Sequence, residues 1–178
     1  MNRPHLASRL TLAALAALAG VACDSKRSAP PAPSSPAASE PTPLVAAPRE
    51  GIRWEQAPAG LVDAAPAIKT ALAVANAEGR TLLVYVGATW CEPCQRFHHA
   101  VEQGALDAAF PHLSFLAFDA DRDAEPLATA GYFSRLIPLF AVPKSDGHSS
   151  GKQIEGSVKG EAAVGEITPR LRGLISGS

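Results

Sequence analysis

The sequence Trp90-Cys91-Glu92-Pro93-Cys94 lies between an apolar run, residues 81–86, and a segment with few helix breakers, residues 95–109. Two thiols three positions apart at the start of a helix can close into a small disulfide and open again. Unpaired N–H groups and the positive end of the helix dipole stabilise a thiolate there. The stretch therefore predicts a redox-active pair, in which Cys91 attacks and Cys94, one turn deeper, resolves the mixed disulfide.

The two residues between the cysteines suit the first turn of a helix. Pro93 has no N–H to leave without a partner, and its φ is already helical. Glu92 is favoured near the positive end of the dipole. Its carboxylate opposes thiolate formation at Cys91, but this repulsion is weak between exposed charges in water. We therefore expect Glu92 to change the pKa of Cys91 only modestly.

Two other interpretations of the cysteine pair stay open. A structural zinc site needs four ligands, and the sequence has no second cysteine pair. His98 follows Cys94 by one helical turn, which leaves a metal site of Cys91, Cys94 and His98 as an alternative. A purely structural disulfide is the other, although so short a loop constrains the unfolded chain little. In the preferred interpretation no metal is bound, and His98 and His99 are solvated helix residues.

The motif follows a hydrophobic strand, and Ile137-Pro138 stands just before the apolar run 139–142. Together these features resemble the thioredoxin superfamily over residues 52–177. The lead-in from Trp54 through an alanine-rich helix is similar to the bacterial periplasmic branch, including the C-terminal domain of the transmembrane thiol:disulfide interchange reductase. The resemblance implies that Cys91 is the nucleophile, Cys94 the resolving thiol and Pro138 a cis proline facing the disulfide.

The resemblance also implies what the site binds. Trp90, Pro93 and Ile137 are predicted to contact disulfide-containing protein substrates, Ile137 through its backbone. The cysteine pair is itself the redox group, so no cofactor is expected, and a membrane thiol-disulfide electron donor is the expected second partner. One position departs from the family, because many members carry an acidic or polar residue where this chain has Tyr85. We interpret Tyr85 as a core strand residue, which leaves the proton route to the second thiol unassigned.

Residues 1–22 have the pattern of a secretory signal peptide, with two arginines before an apolar run and small residues before Cys23. The apolar run is too short to span a bilayer. Cys23 resembles the lipidated first residue of a bacterial lipoprotein, although Gly20 stands where that family prefers leucine. We predict a periplasmic protein anchored by lipid on Cys23 to the inner or outer membrane. A soluble secreted form is the alternative.

Residues 23–51 are predicted to be a disordered linker behind the lipidation site, because proline, alanine and serine dominate and apolar residues are too sparse for a core. Extended at about 3.1 Å per residue, residues 25–50 of this linker reach about 80 Å. The whole chain has 16 basic and 17 acidic residues, and losing Arg3 and Arg9 with the signal peptide leaves a net charge of −3. Nothing in this balance favours nucleic acid.

Residues 52–178 are predicted to form one thioredoxin-like α/β domain. The pattern gives a helix over 67–78, ending at Gly79, and buried strands over 81–86 and 113–118. Because helices of about 15 residues alternate with strands, we expect a central mixed sheet with helices on both faces.

The end of the domain is predicted to be a hairpin and a helix. The hairpin pairs residues 139–142 with 153–158 across a polar turn, 144–151, and the helix over 161–175 is broken or kinked at Pro169. The stretch Asp119-Ala-Asp121-Arg-Asp123 lacks the glycine and glutamate of a calcium loop, and we interpret it as a solvated strand-to-helix turn.

These features predict a thiol:disulfide oxidoreductase that acts on protein disulfides outside the cytoplasm as a reductase. A metallochaperone using Cys91, Cys94 and His98 is one alternative. A non-catalytic thioredoxin-like binding module is the other.

Overall fold

The computed structural model describes residues 50–177. The predicted signal peptide, the lipidation site at Cys23 and nearly all of the predicted linker lie outside the described residues. Within the described part, the longest helix has 14 residues, and no helix combines the length and apolar character needed to cross a membrane.

The described chain alternates between strands and helices around a five-stranded sheet of order β1-β3-β2-β4-β5. The first three of these strands in the sheet order run parallel, and β4 and β5 are antiparallel to their neighbours. The elements are, in chain order, β1 (Arg53–Gln56), α1 (Ala65–Ala77), β2 (Thr81–Gly87), α2 (Glu92–Glu102), β3 (Leu113–Asp119), α3 (Ala124–Thr129), β4 (Leu139–Pro143), β5 (Ser149–Glu155) and α4 (Ala163–Ser176).

Side chains of the central strands alternate between the two faces of the sheet. In β2, Val84 packs into the core layer that also contains Ile68 of α1 and Leu127 of α3. Its neighbour Tyr85 packs into the opposite layer with residues of α2 and α4 such as Phe97 and Ile167. Helices therefore cover both faces, and the predicted α/β class with a central mixed sheet is confirmed.

The hairpin begins its second strand earlier than predicted. Ser149 pairs with Pro143, so the polar turn covers residues 144–148 only, and the strand ends at Glu155. The small polar residues of this segment led to the prediction of a longer turn. In the structure the Ser150 hydroxyl instead donates to the Val142 carbonyl at 2.7 Å, which holds this segment in the sheet.

Two helices also differ from their predictions. Helix α2 ends at Glu102 because Gly104 adopts a left-handed φ of 70°, so residues 103–109 form turns. Helix α4 continues through Pro169 and is not broken there. Ile167 and Leu171 on either side of the proline are fully buried, and their packing holds both turns against the sheet.

Three further features differ from the sequence prediction. The edge strand β1 and the six-residue helix α3 were not predicted. The Asp119–Asp123 segment is a strand-to-helix turn as predicted, but it is not solvated throughout, since Asp123 is only 1% exposed.

Candidate redox site

Cys91 is the N-cap residue of α2 and forms a disulfide with Cys94, with an S–S distance of 2.10 Å. Its backbone is extended, while Glu92 and Pro93 begin the helix. The Cys94 N–H donates to Cys91 Sγ at 3.3 Å. A helix-terminal N–H aimed at this sulfur favours a negative charge on it when the disulfide is reduced.

The segment before β4 also lies beside the disulfide, because β4 is a direct neighbour of β2 in the sheet. The Ile137–Pro138 peptide bond is cis, and the Ile137 carbonyl oxygen lies 3.7 Å from Cys91 Sγ. Leu136, one residue earlier, is 60% exposed. The structure therefore places the predicted Pro138 segment beside the predicted nucleophile, with an apolar side chain open to solvent next to it.

Trp90, which directly precedes Cys91 in the chain, is a second exposed apolar side chain near the disulfide. Its side chain is 67% exposed, and its indole N–H donates to Asp121 Oδ2 at 2.8 Å. Asp121 is itself held by the turn after β3, where Asp119 Oδ1 accepts the N–H groups of Asp121 and Arg122 at 2.9 and 3.0 Å. The aspartate turn thus orients the tryptophan beside the disulfide.

Glu92 is engaged by neighbouring groups. Its Oε1 accepts from the Arg96 guanidinium at 2.9 Å and from the Gly160 N–H at 3.2 Å. The hydrogen bond from Arg96 is the main cause that holds the pKa of Glu92 below its ordinary value. The carboxylate beside Cys91 is therefore ionised and paired with a cation.

The two cysteines are buried to nearly the same extent. In the disulfide form Cys91 is 5% exposed and Cys94 is 3% exposed, so the first thiol is not the markedly more accessible one. What distinguishes them is their surroundings. Cys91 lies between the start of α2 and Ile137, whereas Cys94 lines a cavity on the inner side of the motif.

This cavity has a volume of about 360 Å³. Cys94, Tyr85 and His98 line it together with Gln56 of β1 and Asp119 of β3. Tyr85 is a buried strand residue as interpreted from the sequence, and burial raises the pKa of its hydroxyl. The second cysteine therefore adjoins a space with both polar and aromatic walls.

The two histidines occupy different environments. The His98 ring packs on Trp54 at a centroid distance of 4.6 Å, and its side chain is 41% exposed. His98 is therefore a helix residue whose side chain is partly solvated and partly packed on an aromatic ring. His99 does point to solvent, with 67% of its side chain exposed. Among residues 50–177, no three histidine, cysteine or acidic side chains are grouped to hold a metal ion.

The structure brings most of the predicted site residues together. Trp90, Ile137 and Pro138 surround the cysteines, and Pro93 is buried in the first turn of α2. Sequence reasoning missed Asp121, which orients Trp90. One signal pointed to it, because Asp121 follows a buried parallel strand whose carboxyl end lies at the same sheet edge as the cysteine motif.

One protein family and several solved structures are similar to this chain. Residues 63–142 match the model of a thioredoxin-like family. Solved structures similar to this chain include a thioredoxin from Trichomonas vaginalis, with 19% identity, a TM-score of 0.45 and coverage of 71% of this chain and 97% of that one. A thioredoxin from Fasciola hepatica has 24% identity, a TM-score of 0.44 and coverage of 70% and 96%. No curated protein matches the chain.

The domain has the thioredoxin fold. Its matched segment includes the strand before the motif, both cysteines, and the cis proline with the strand that follows. A disulfide between cysteines of CxxC spacing, placed on this fold, suggests a thiol-disulfide oxidoreductase.

Proposed function

We propose that this protein reduces disulfides in other proteins outside the cytoplasm, using Cys91 and Cys94 as a dithiol. The observation that carries the proposal is the position of Cys91 Sγ, 3.3 Å from the Cys94 N–H and 3.7 Å from the Ile137 carbonyl. The first contact favours a thiolate. The second places the sulfur beside a backbone segment along which an extended partner chain can bind.

The reaction proceeds by two exchanges. The Cys91 thiolate attacks one sulfur of a partner disulfide, and the other partner sulfur leaves as a thiolate. Cys94 then attacks Cys91 Sγ, which forms the internal disulfide and releases the second partner sulfur. Two electrons pass from the cysteine pair to the partner, and an electron donor must reduce the pair again. We propose a membrane thiol-disulfide protein as that donor.

The surroundings of the disulfide support binding of protein substrates. Trp90 and Leu136 are large apolar side chains that remain exposed close to the cysteines. Exposed apolar groups around a reactive centre favour contact with apolar partner segments. Because the cysteine pair supplies the redox chemistry, the proposal requires no cofactor.

The reducing direction is supported by Glu92. A strongly oxidising dithiol owes its potential to a stabilised reduced form. Here an ionised carboxylate precedes Pro93 and is next to Cys91, and Arg96 and Gly160 hold it in place. The negative charge of Glu92 therefore does not help to stabilise the Cys91 thiolate, so it does not favour the reduced form that a strong oxidant requires.

The location outside the cytoplasm rests on the N-terminal sequence. We propose that residues 1–22 direct export and that Cys23 carries a lipid in the inner or outer bacterial membrane. The linker to residue 51 then allows the domain to reach both a membrane donor and protein substrates in the periplasm.

An insulin-reduction assay tests the activity. Wild-type protein should accelerate the dithiothreitol-dependent reduction of insulin, and a variant with serine at positions 91 and 94 should not. The same preparation should have a reduction potential near −270 mV, whereas about −120 mV would indicate an oxidant. Absence of insulin reduction would favour a binding module, and stoichiometric metal in the reduced protein would favour a metallochaperone.

A further inference from the structure

Cys94 lines a cavity, and the resolving step requires its thiol to lose a proton. This inference rests on the proposed function. Cys94 has to lose its thiol proton before its sulfur can attack Cys91. Three titratable side chains line the cavity with it, namely Tyr85, His98 and Asp119.

We propose that His98 accepts the proton of Cys94 through water in this cavity and passes it to bulk solvent. The two residues lie one turn apart on α2, so their side chains point to the same side of the helix. Both line the cavity of about 360 Å³, whose walls are partly polar and which has room for several water molecules. The partly exposed His98 ring connects that space with solvent.

The neighbours of His98 hold its ring in place. Trp54 of β1 packs on one side at a centroid distance of 4.6 Å. Glu102, one turn further along α2, places its carboxylate 3.7 Å from Nδ1. This contact is on the Nδ1 side of the ring, so we assign Nε2 as the proton-accepting nitrogen. An imidazole is also the side chain whose ordinary titration range covers neutral pH.

The other titratable groups on the cavity fit the role less well. Burial raises the pKa of the Tyr85 hydroxyl, which therefore stays protonated and acts only as a hydrogen-bonding group. Asp119 uses Oδ1 to accept two backbone N–H groups of the turn that positions Asp121. Gln56 of β1 also lines the cavity, and its side chain carries no charge.

The step balances without an added reagent. In the mixed disulfide, the S–H proton of Cys94 passes through water to His98 as the sulfur attacks Cys91 Sγ. The Cys91–Cys94 bond forms and the bond from Cys91 to the partner breaks. The partner sulfur leaves with the electron pair of that bond, and His98 returns the proton to solvent.

Ellman's reagent, an aromatic disulfide, tests the step because it separates the two exchanges. Attack by Cys91 releases the first coloured thiolate, and attack by Cys94 releases the second. At pH 7 we expect His98→Gln to slow the second release about 100-fold and leave the first unchanged. The difference should disappear above about pH 9.5, where a thiol ionises without help.

His99→Gln is the matched control, because His99 also lies within 4.0 Å of Glu102 but does not line the cavity. In the His99→Gln variant, the first and second releases of coloured thiolate should be as fast as in the wild type. His98→Asn should repeat the effect of His98→Gln, and urea unfolding of each variant establishes that the fold is retained.

Equal second phases in wild type and both His98 variants would overturn the role of His98 and leave the proposed function intact. Slowing of equal size at every pH would also overturn it, as would slowing in Asp119→Asn instead of the His98 variants. A wild type that releases no second thiolate would contradict the proposed function itself.

Discussion

Tyr85 packs among aromatic rings in the core layer that also contains the two cysteines. The ring lies 4.6 Å from Trp54 and 5.4 Å from Phe140, measured between centroids, and it stacks on Phe97. It also covers Gly87, where an added Cβ would overlap the Tyr85 hydroxyl oxygen. Tyr85 therefore leaves no room for a side chain at residue 87.

This contact predicts a strong coupling between the two positions. Gly87→Ala should destabilise the wild type by about 1–3 kcal/mol, because the packed ring cannot move aside freely. In a Tyr85→Leu background the same change should cost less than about 0.5 kcal/mol. Urea unfolding of the four proteins gives the coupling energy.

Gly165→Ala serves as the control for this cycle. Gly165 lies in α4 with nothing within 4 Å of an added Cβ, so alanine there should stabilise by about 0.5–1 kcal/mol. Additive effects of Gly87→Ala and Tyr85→Leu would contradict the described contact.

The turn between β3 and α3 depends on one buried acid. Asp123 accepts the Asp119 N–H at 2.9 Å and pairs with Arg122 at 2.7 Å. Burial works to raise the pKa of Asp123, but the hydrogen bonds from Arg122 and from the Asp119 backbone outweigh it and hold the pKa below the ordinary value. The ionised carboxylate thus connects the end of the strand to the start of the helix.

Asp123→Asn should therefore lower the free energy of unfolding by about 1–3 kcal/mol at neutral pH. A lowered pKa in the folded state stabilises the protein above about pH 4, and this contribution is lost as the pH falls through the folded value. The difference between variant and wild type should shrink below pH 4 in denaturant titrations.

Asp121→Asn in the same turn is the comparison variant. Residue 121 is exposed, and asparagine keeps an oxygen that can accept from Trp90, so the change should stay within about 0.5 kcal/mol. A deficit of Asp123→Asn that stayed constant down to pH 2 would contradict the assignment of an ionised Asp123.

The elements that the sequence predicted well are those whose pattern is local. Strands β2 and β3 and helix α1 could be recognised from residues that are close together in the sequence, without knowledge of the elements they contact. Strand β1 was missed because its four residues are mostly polar and exposed and are held by pairing with β3. The start of β5 was missed because paired serines resemble a turn.

The candidate site was also predicted only in part from the sequence. CxxC spacing identified the reactive pair, and Ile137-Pro138 identified the facing segment. The contact of His98 with Trp54 and the bond from Trp90 to Asp121 join residues far apart in the chain. Such pairs depend on which strands become neighbours, and a single sequence does not contain that information directly.

At the scale of the whole molecule, the proposed lipid anchor makes its own prediction. Cells grown with labelled palmitate should label the wild-type protein. Cys23→Ser should lose both the label and the association with membranes, because the apolar segment before Cys23 is expected to be cleaved away. An unlabelled and fully soluble wild type would instead support the secreted form.

The central claim is that Cys91 attacks partner disulfides and Cys94 releases them. The N–H of Cys94 supports a negative charge on Cys91 Sγ, and Cys94 is turned towards the inner cavity. Cys94→Ser should therefore accumulate mixed disulfides with partner proteins, because the thiol that resolves them is gone. Cys91→Ser should accumulate none.

The most direct measurement is a non-reducing gel of both variants, isolated with acid quenching, followed by identification of the trapped proteins. We predict partner bands that are sensitive to reductant for Cys94→Ser alone. Equal trapping by both variants, or complexes that require a metal instead of a disulfide, would contradict the mechanism.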